Sequence, residues 1–142
     1  MDVVKFLSNP TNMVWAAAAI VSGGMLIWPM LRGGGASSVD TLKATLLINK
    51  ENALVLDVRE ESEYAAGHII NAKNVPLARL SGSSDAADSV SKRRDRPIVV
   101  CCASGNRSAA AVAALKKLGF PNAYSLAGGI GAWRQAGLPT ER

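Results

Sequence analysis

The chain has 142 residues and a formal net charge of +5; 49% of its residues are hydrophobic and 5% aromatic. That length holds one modest domain and a short appendage. The charge is small for a nucleic-acid binder, and no aromatic residue interleaves the basic run KRRDR at 92–96, so a nucleic-acid partner is not expected.

Residues 1–12 form an N-terminal flank. From Met13 to Leu31 runs MVWAAAAIVSGGMLIWPML, without a charge. As a helix it spans about 28 Å at ~1.5 Å per residue, close to the ~30 Å of a bilayer core. Trp15 and Trp28 fall near its ends, where amphipathic rings favour the lipid–water boundary. Pro29 sits where a kink costs least. Residues 13–31 therefore read as one transmembrane helix with the lipid bilayer as its partner. A cleaved signal peptide competes, because GGGA before Ser37 offers small residues at a cleavage site. Against it, the apolar run exceeds the usual ~7–15 residues of a signal core. Ala19 and Gly23 make a small-residue pair through which two anchors could associate as a homo-oligomer. Arg32, Lys43 and Lys50 outnumber Lys5 on the other flank, which places the C-terminal part in the cytoplasm. Two adjacent thiols suit that reducing compartment. Residues 32–38, RGGGASS, read as a flexible linker.

Residues 39–142 alternate helix and strand signals. Ser38 or Asp40 caps a helix reaching about Asn49, with Leu42, Leu46 and Leu47 on one face. ALVLDV at 53–58 is a short apolar run of the buried parallel type. EESEYAAG gives one or two helical turns closed by Gly67, AKNVP at 72–76 a strand, and PLARL a short helix. Residues 81–96 are polar and Ser-rich, then basic. PIVVC at 97–101 is the most apolar strand, RSAAAVAALKKLGF a helix closed by Gly119, AYSL at 123–126 a strand, and GGIGAWRQAG a last helical segment. This alternation predicts an α/β domain: an open, mostly parallel sheet of about five strands with helices on both faces. Function in such sheets gathers at the carboxyl ends of the strands.

That rule selects VVCCASGNRSAAAVAAL at 99–115. Amides of the loop and of the first helical turn lack intrahelical partners, and the helix dipole adds positive potential. A thiolate at their focus has a lowered pKa and is nucleophilic at neutral pH. Cys101 belongs to the strand and is expected in the core as a small hydrophobe. Cys102 is the first loop residue and is expected to face the amides. Gly105 lets the loop turn, and Arg107 is expected to stand as a fixed charge beside an incoming anion. Ala103, Ser104, Gly105, Asn106 and Arg107 thus form the expected anion-binding loop. A vicinal disulfide between Cys101 and Cys102 would be strained. Asp57 and Arg59 end a strand on the same edge and either line the pocket or pair internally. One histidine, His68, beside two adjacent cysteines is a poor metal set, and no metal is expected.

CASGNR, starting at Cys102, resembles the Cys-x-x-Gly-x-Arg loop of rhodanese-type sulfurtransferases. ALVLDVREESEYAAGHI, AKNVP and LAGGIGAWRQAGLP, with Trp133 in the last, resemble further segments of that family in the same order. The resemblance covers about residues 40–139. It implies a rhodanese-like domain at 39–142 with a five-stranded parallel sheet and no cofactor beyond a covalent persulfide on Cys102. It implies partners in the form of a sulfur donor, thiosulfate or a persulfide, and a thiol or cyanide acceptor. It makes His68 a turn-stabilising residue, and the anchor resembles that of single-domain members tethered to the bacterial inner membrane. Members that prefer thiosulfate carry extra cations within the loop, where this chain has Ala103 and Ser104. Two other readings remain. Counted from Cys101, CCASGNR satisfies the Cys-x5-Arg pattern of phosphatases and arsenate reductases, though Val100 stands where those proteins have histidine. Alternatively the domain is a tethered binding module of weak activity, with KRRDR against anionic lipid or merely solvated.

Overall fold

The computed structural model describes residues 3–33, 37–82, 88, 90–92 and 94–142. The chain divides into two units at Ala36 and Ser37. The expected linker falls in part on residues 34–36, and the Ser-rich segment in part on 83–87, 89 and 93, outside the described residues.

In the first unit α1 (Val3–Leu7) precedes α2 (Pro10–Gly33). Asn9 Oδ1 accepts the Thr11 N–H at 3.1 Å, and Pro10 opens the helix at a position that needs no N–H. The helix is thus wider than the uncharged run 13–31. Its stretch Pro10–Trp28, 19 residues, is long and apolar enough to cross a bilayer, the one such helix among the described residues.

In the second unit the strands are β1 (Ser38–Val39), β2 (Leu54–Asp57), β4 (Lys73–Asn74), β5 (Ile98–Cys101) and β6 (Ala123–Leu126). They form one parallel sheet in the order β1-β6-β5-β2-β4. A second, antiparallel pair joins β3 (His68–Ile69) to β7 (Thr140–Glu141). The helices of this unit include α3 (Thr41–Glu51), α4 (Glu61–Ala66), α5 (Leu77–Gly82), α6 (Asn106–Lys117) and α7 (Gly129–Gln135). The expected α/β architecture is present. Sequence reading did not find β1, β3 or β7, each only two residues long.

Strand pleat divides the core in two, because successive side chains leave a strand on opposite faces. Ile98, Val100 and Cys102 join Leu54, Leu56, and Ala111, Val112 and Leu115 of α6. Val99 and Cys101 join Val55, Ala44 and Leu47 of α3, and Ile130 and Trp133 of α7. Both sheet faces are therefore covered, and the central strands β2 and β5 are buried throughout.

Asp40 caps α3 by accepting the Lys43 N–H at 2.7 Å, which settles the choice between Ser38 and Asp40. The buried side of α3 differs from the expectation. Leu47 is buried with Ala44, whereas Leu42 is 69% and Leu46 40% exposed. Small Ala44 lets the helix lie close to the sheet, and that approach turns Leu42 and Leu46 outward. Leu47→Ala should cost about 2–5 kcal/mol of unfolding free energy. Leu42→Ala should stay within about 0.5 kcal/mol of wild type. Urea unfolding of the two variants checks this, and equal losses would contradict the observed helix face.

Candidate active site

The carboxyl ends of β2 and β5 stand side by side, with Asp57 paired to Cys101. The loops that leave this edge bring residues 58–63, 102–107 and 127–131 together. The strand β5 ends at Cys101 and Asn106 begins α6, so residues 102–105 make the whole turn. Gly105 takes a φ of 104°, a conformation that glycine adopts at little cost.

Cys102 is buried beneath this loop while Ala103, Ser104 and Asn106 are exposed. The Gly105 N–H donates to Cys102 Sγ at 3.0 Å, and the Cys102 thiol lies 3.5 Å from Ser108 Oγ. Burial by itself raises the Cys102 pKa. The Ser108 hydroxyl and the amides of Ser108, Gly105 and Ser104 outweigh it, so the thiol is held below its ordinary value. Ser108 Oγ also donates to the Gly105 carbonyl at 3.0 Å and lies 2.7 Å from Ser125 Oγ.

Cys101 is equally buried but has different neighbours. Its side chain is on the other face of the sheet, within the α3–α7 core. Burial, and then the charge of Asp57, push its thiol up to about 12. Both cysteines are free, so there is no vicinal disulfide. The Cys101-based alternative would need a thiolate where the protein interior disfavours one.

The structure changes the expectation for Arg107. Its Nη1 and Nη2 donate to Glu63 Oε2 and Oε1 at 2.8 and 2.9 Å, a bidentate pair across α4 and α6. The cation expected to await an anion is already paired. Asp57 and Arg59 pair internally. Arg59 Nη2 donates to Asp57 Oδ2 at 2.8 Å and to the Gly67 carbonyl at 2.7 Å, and both residues are buried. They brace the loop after β2. His68 Nδ1 donates to the Tyr64 carbonyl at 2.9 Å and its ring stacks on Tyr64 at 3.7 Å, a role in the turn. Among the described residues no three His, Cys, Asp or Glu side chains are grouped to hold a metal ion. Lys92, Arg94 and Asp95 of the basic run are exposed, and Arg94 stacks over Phe120 at 5.3 Å; Arg93 lies outside the described residues.

Four contributors escaped sequence reading: Glu63, Ser108, Ser125 and the Gly128–Gly129 corner. The Ile130 N–H donates to the Cys102 carbonyl at 2.8 Å. Gly129, at a φ of +59°, approaches so closely that a Cβ would lie 2.2 Å from the Cys102 oxygen. The double glycine was the available signal for that approach. Glu63 offered none, because its partner is 44 residues away.

Residues 38–136 match the model of the rhodanese-like domain. A thiosulfate sulfurtransferase GlpE of Pseudomonas fluorescens is 39% identical over 87 residues, 61% of this chain and 75% of that protein. The uncharacterized protein YibN of Escherichia coli is 32% identical over 100 residues, 70% of this chain and 68% of that protein. The crystal structure of a rhodanese-related protein from Thermoplasma volcanium superposes with a TM-score of 0.60 at 38% identity, covering 73% of this chain and 96% of that one.

The Glu63–Arg107 pair has a pH signature. Its bonds to Arg107, and then to the Glu60 amide, lower the Glu63 carboxyl from 4.5 to about 2. A carboxyl depressed in the folded state stabilises the fold above its unfolded value, and that contribution is lost as pH falls through the folded one. Both side chains are 36% exposed, so solvent screening keeps the effect small. Glu63→Gln should melt slightly below wild type near neutral pH. The gap in Tm should close as pH falls from 4.5 toward about 2. A gap constant over that range would show that the ion pair is not its source.

Proposed function

The chain belongs to the rhodanese-like family, and from that premise we propose that it is a membrane-anchored sulfurtransferase working through a persulfide on Cys102. The observation that carries the reading is the convergence of peptide N–H groups on Cys102 Sγ, with the Gly105 amide at 3.0 Å; Ser108 Oγ, 3.5 Å away, accepts from the thiol. Donors so arranged favour a sulfur anion over a neutral thiol. They favour equally the terminal sulfur anion that a persulfide would bear at the loop.

In the forward step the Cys102 thiolate attacks the outer sulfur of a donor. With thiosulfate the S–S bond breaks and sulfite leaves with the bonding pair. With an organic persulfide R–S–SH, the leaving R–S⁻ takes up the proton, and Cys102 keeps S–S⁻. An acceptor thiolate or cyanide then attacks that outer sulfur and the Cys102 thiolate leaves. The two half-reactions share no ternary complex, so the kinetics are ping-pong. The pocket residues proposed around the sulfur are Ala103, Ser104, Gly105, Asn106 and Arg107, with Ser108 added from its 3.5 Å approach. The nucleophile is the Cys102 sulfur, the transferred atom comes from the donor, and the step needs no metal or organic cofactor.

Anchoring rests on α2, whose apolar length suits a bilayer, and on Trp15 and Trp28 near the ends of its apolar run. The excess of cations after the helix supports a single pass in a bacterial inner membrane with the domain in the cytoplasm. The proposed boundaries are a flank at 1–12, the span at 13–31, the linker at 32–38 and the domain at 39–142.

Intact-mass measurement after incubation with thiosulfate, and separately with a small persulfide, tests the chemistry. Wild type and Cys101→Ser should gain one sulfur, and Cys102→Ser should gain none. Loading retained in Cys102→Ser would overturn the assignment, and no loading of wild type by either donor would favour a binding module. For the anchor, the chain should stay in the membrane fraction through alkaline carbonate washing with its N-terminal segment intact. A mature chain beginning after Ala36 would identify a signal peptide instead.

A further inference from the structure

The one cation of the 102–107 loop is engaged within the protein. Arg107 gives both terminal nitrogens to Glu63, at 2.8 and 2.9 Å. Ala103, Ser104 and Asn106 add no charge to the exposed part of the loop. Glu60, the N-cap of α4, also acts electrostatically on the Arg107 guanidinium, as does the Cys102 sulfur. The neighbouring cation Arg79 pairs with Glu61 at 2.9 Å. Around α4, then, the carboxylates Glu60, Glu61 and Glu63 stand against the guanidiniums of Arg79 and Arg107. The excess is negative before the Cys102 thiolate is counted.

This arrangement matters for any donor that brings charge. A thiosulfate dianion must approach a thiolate whose neighbouring guanidinium, Arg107, is already neutralised by Glu63. A persulfide in its R–S–SH form brings no charge, and it is also the electrophilic form. We propose, on the reading that Cys102 carries sulfur, that Glu63 is a specificity-determining residue. By holding Arg107 it biases the site toward low-charge organic persulfides and against thiosulfate. Glu63 touches no reacting atom and acts through Arg107 and through its own charge.

The test compares kcat/KM for thiosulfate with kcat/KM for 2-hydroxyethyl persulfide, whose R group is uncharged, using the full chain in detergent. In Glu63→Gln the thiosulfate-to-persulfide ratio should rise roughly fivefold, mostly through a lower KM for thiosulfate, because a dianion gains an unpaired guanidinium. Glu60→Gln should move the ratio the same way by less. Glu51→Gln removes a charge just before β2 begins, at the opposite end of that strand, and should leave the ratio unchanged. An unchanged or lower ratio in folded Glu63→Gln overturns the proposal. Should circular dichroism show that Glu63→Gln does not fold, Glu60→Gln decides by the same criterion. A wild type that takes sulfur from neither donor fails differently: the sulfurtransferase reading falls, and this inference with it.

Discussion

Peptide N–H groups have nowhere to donate where β5 gives way to α6, and Cys102 Sγ is placed to accept from them. The Gly105 amide reaches it at 3.0 Å. Burial of the residue would otherwise hold the thiol neutral, so the net lowering of its pKa measures how far local donors outweigh desolvation. The arrangement works only while the turn stays tight. Gly105 supplies the positive φ, and the Ile130 N–H pins the Cys102 carbonyl at 2.8 Å from outside the loop. Gly129 makes that contact possible, because any Cβ there would collide with the same carbonyl. The α7 corner is thus a structural part of the loop, although it lies well beyond it in the chain.

Strand parity decides which cysteine has this environment. Cys101 and Cys102 are neighbours in sequence, yet they leave the sheet on opposite faces. One meets Asp57 and the α3–α7 core, and the other meets Ser108 and the amides. Their pKa values move in opposite directions for that reason. A slip of one residue in the pairing of β5 with β2 would exchange the two roles. Both faces of β5 are apolar, with Val100 in one core and Val99 in the other, so the difference between the two cysteines comes from what stands at the carboxyl end of the strand.

Two ion pairs fix the edge of the sheet from which the loops emerge. Asp57–Arg59 is buried and fully bonded, with Arg59 Nη2 also reaching the Gly67 carbonyl at 2.7 Å. Removing one partner would leave a charge without compensation in the interior, which is a much larger penalty than the net worth of the intact pair. Glu63–Arg107 is half-exposed and adds little to stability. Its consequence is chemical, since it joins α4 to α6 beside the sulfur and removes a positive charge from the approach.

The sequence by itself determined the element order, the alternating α/β pattern, and the assignment of Cys102 to loop and Cys101 to strand. These follow from local rules: apolar run length, capping at Asp40, glycine at turns and the two-residue period of a strand. Tertiary structure alone decided what those residues meet. Leu42 and Leu46 face outward because Ala44 brings α3 down on the sheet, a matter of packing that helical spacing does not encode. The short strands β1, β3 and β7 exist only as pairings with distant partners. Arg107 was legible as a cation beside the site, but its neutralisation required Glu63 to arrive from α4, 44 residues away. Ser125 came within 2.7 Å of Ser108 in the same way, carried there by β6 in parallel register with β5. Contacts over such separations depend on the closed fold, because only there does burial hold distant segments at hydrogen-bonding distance.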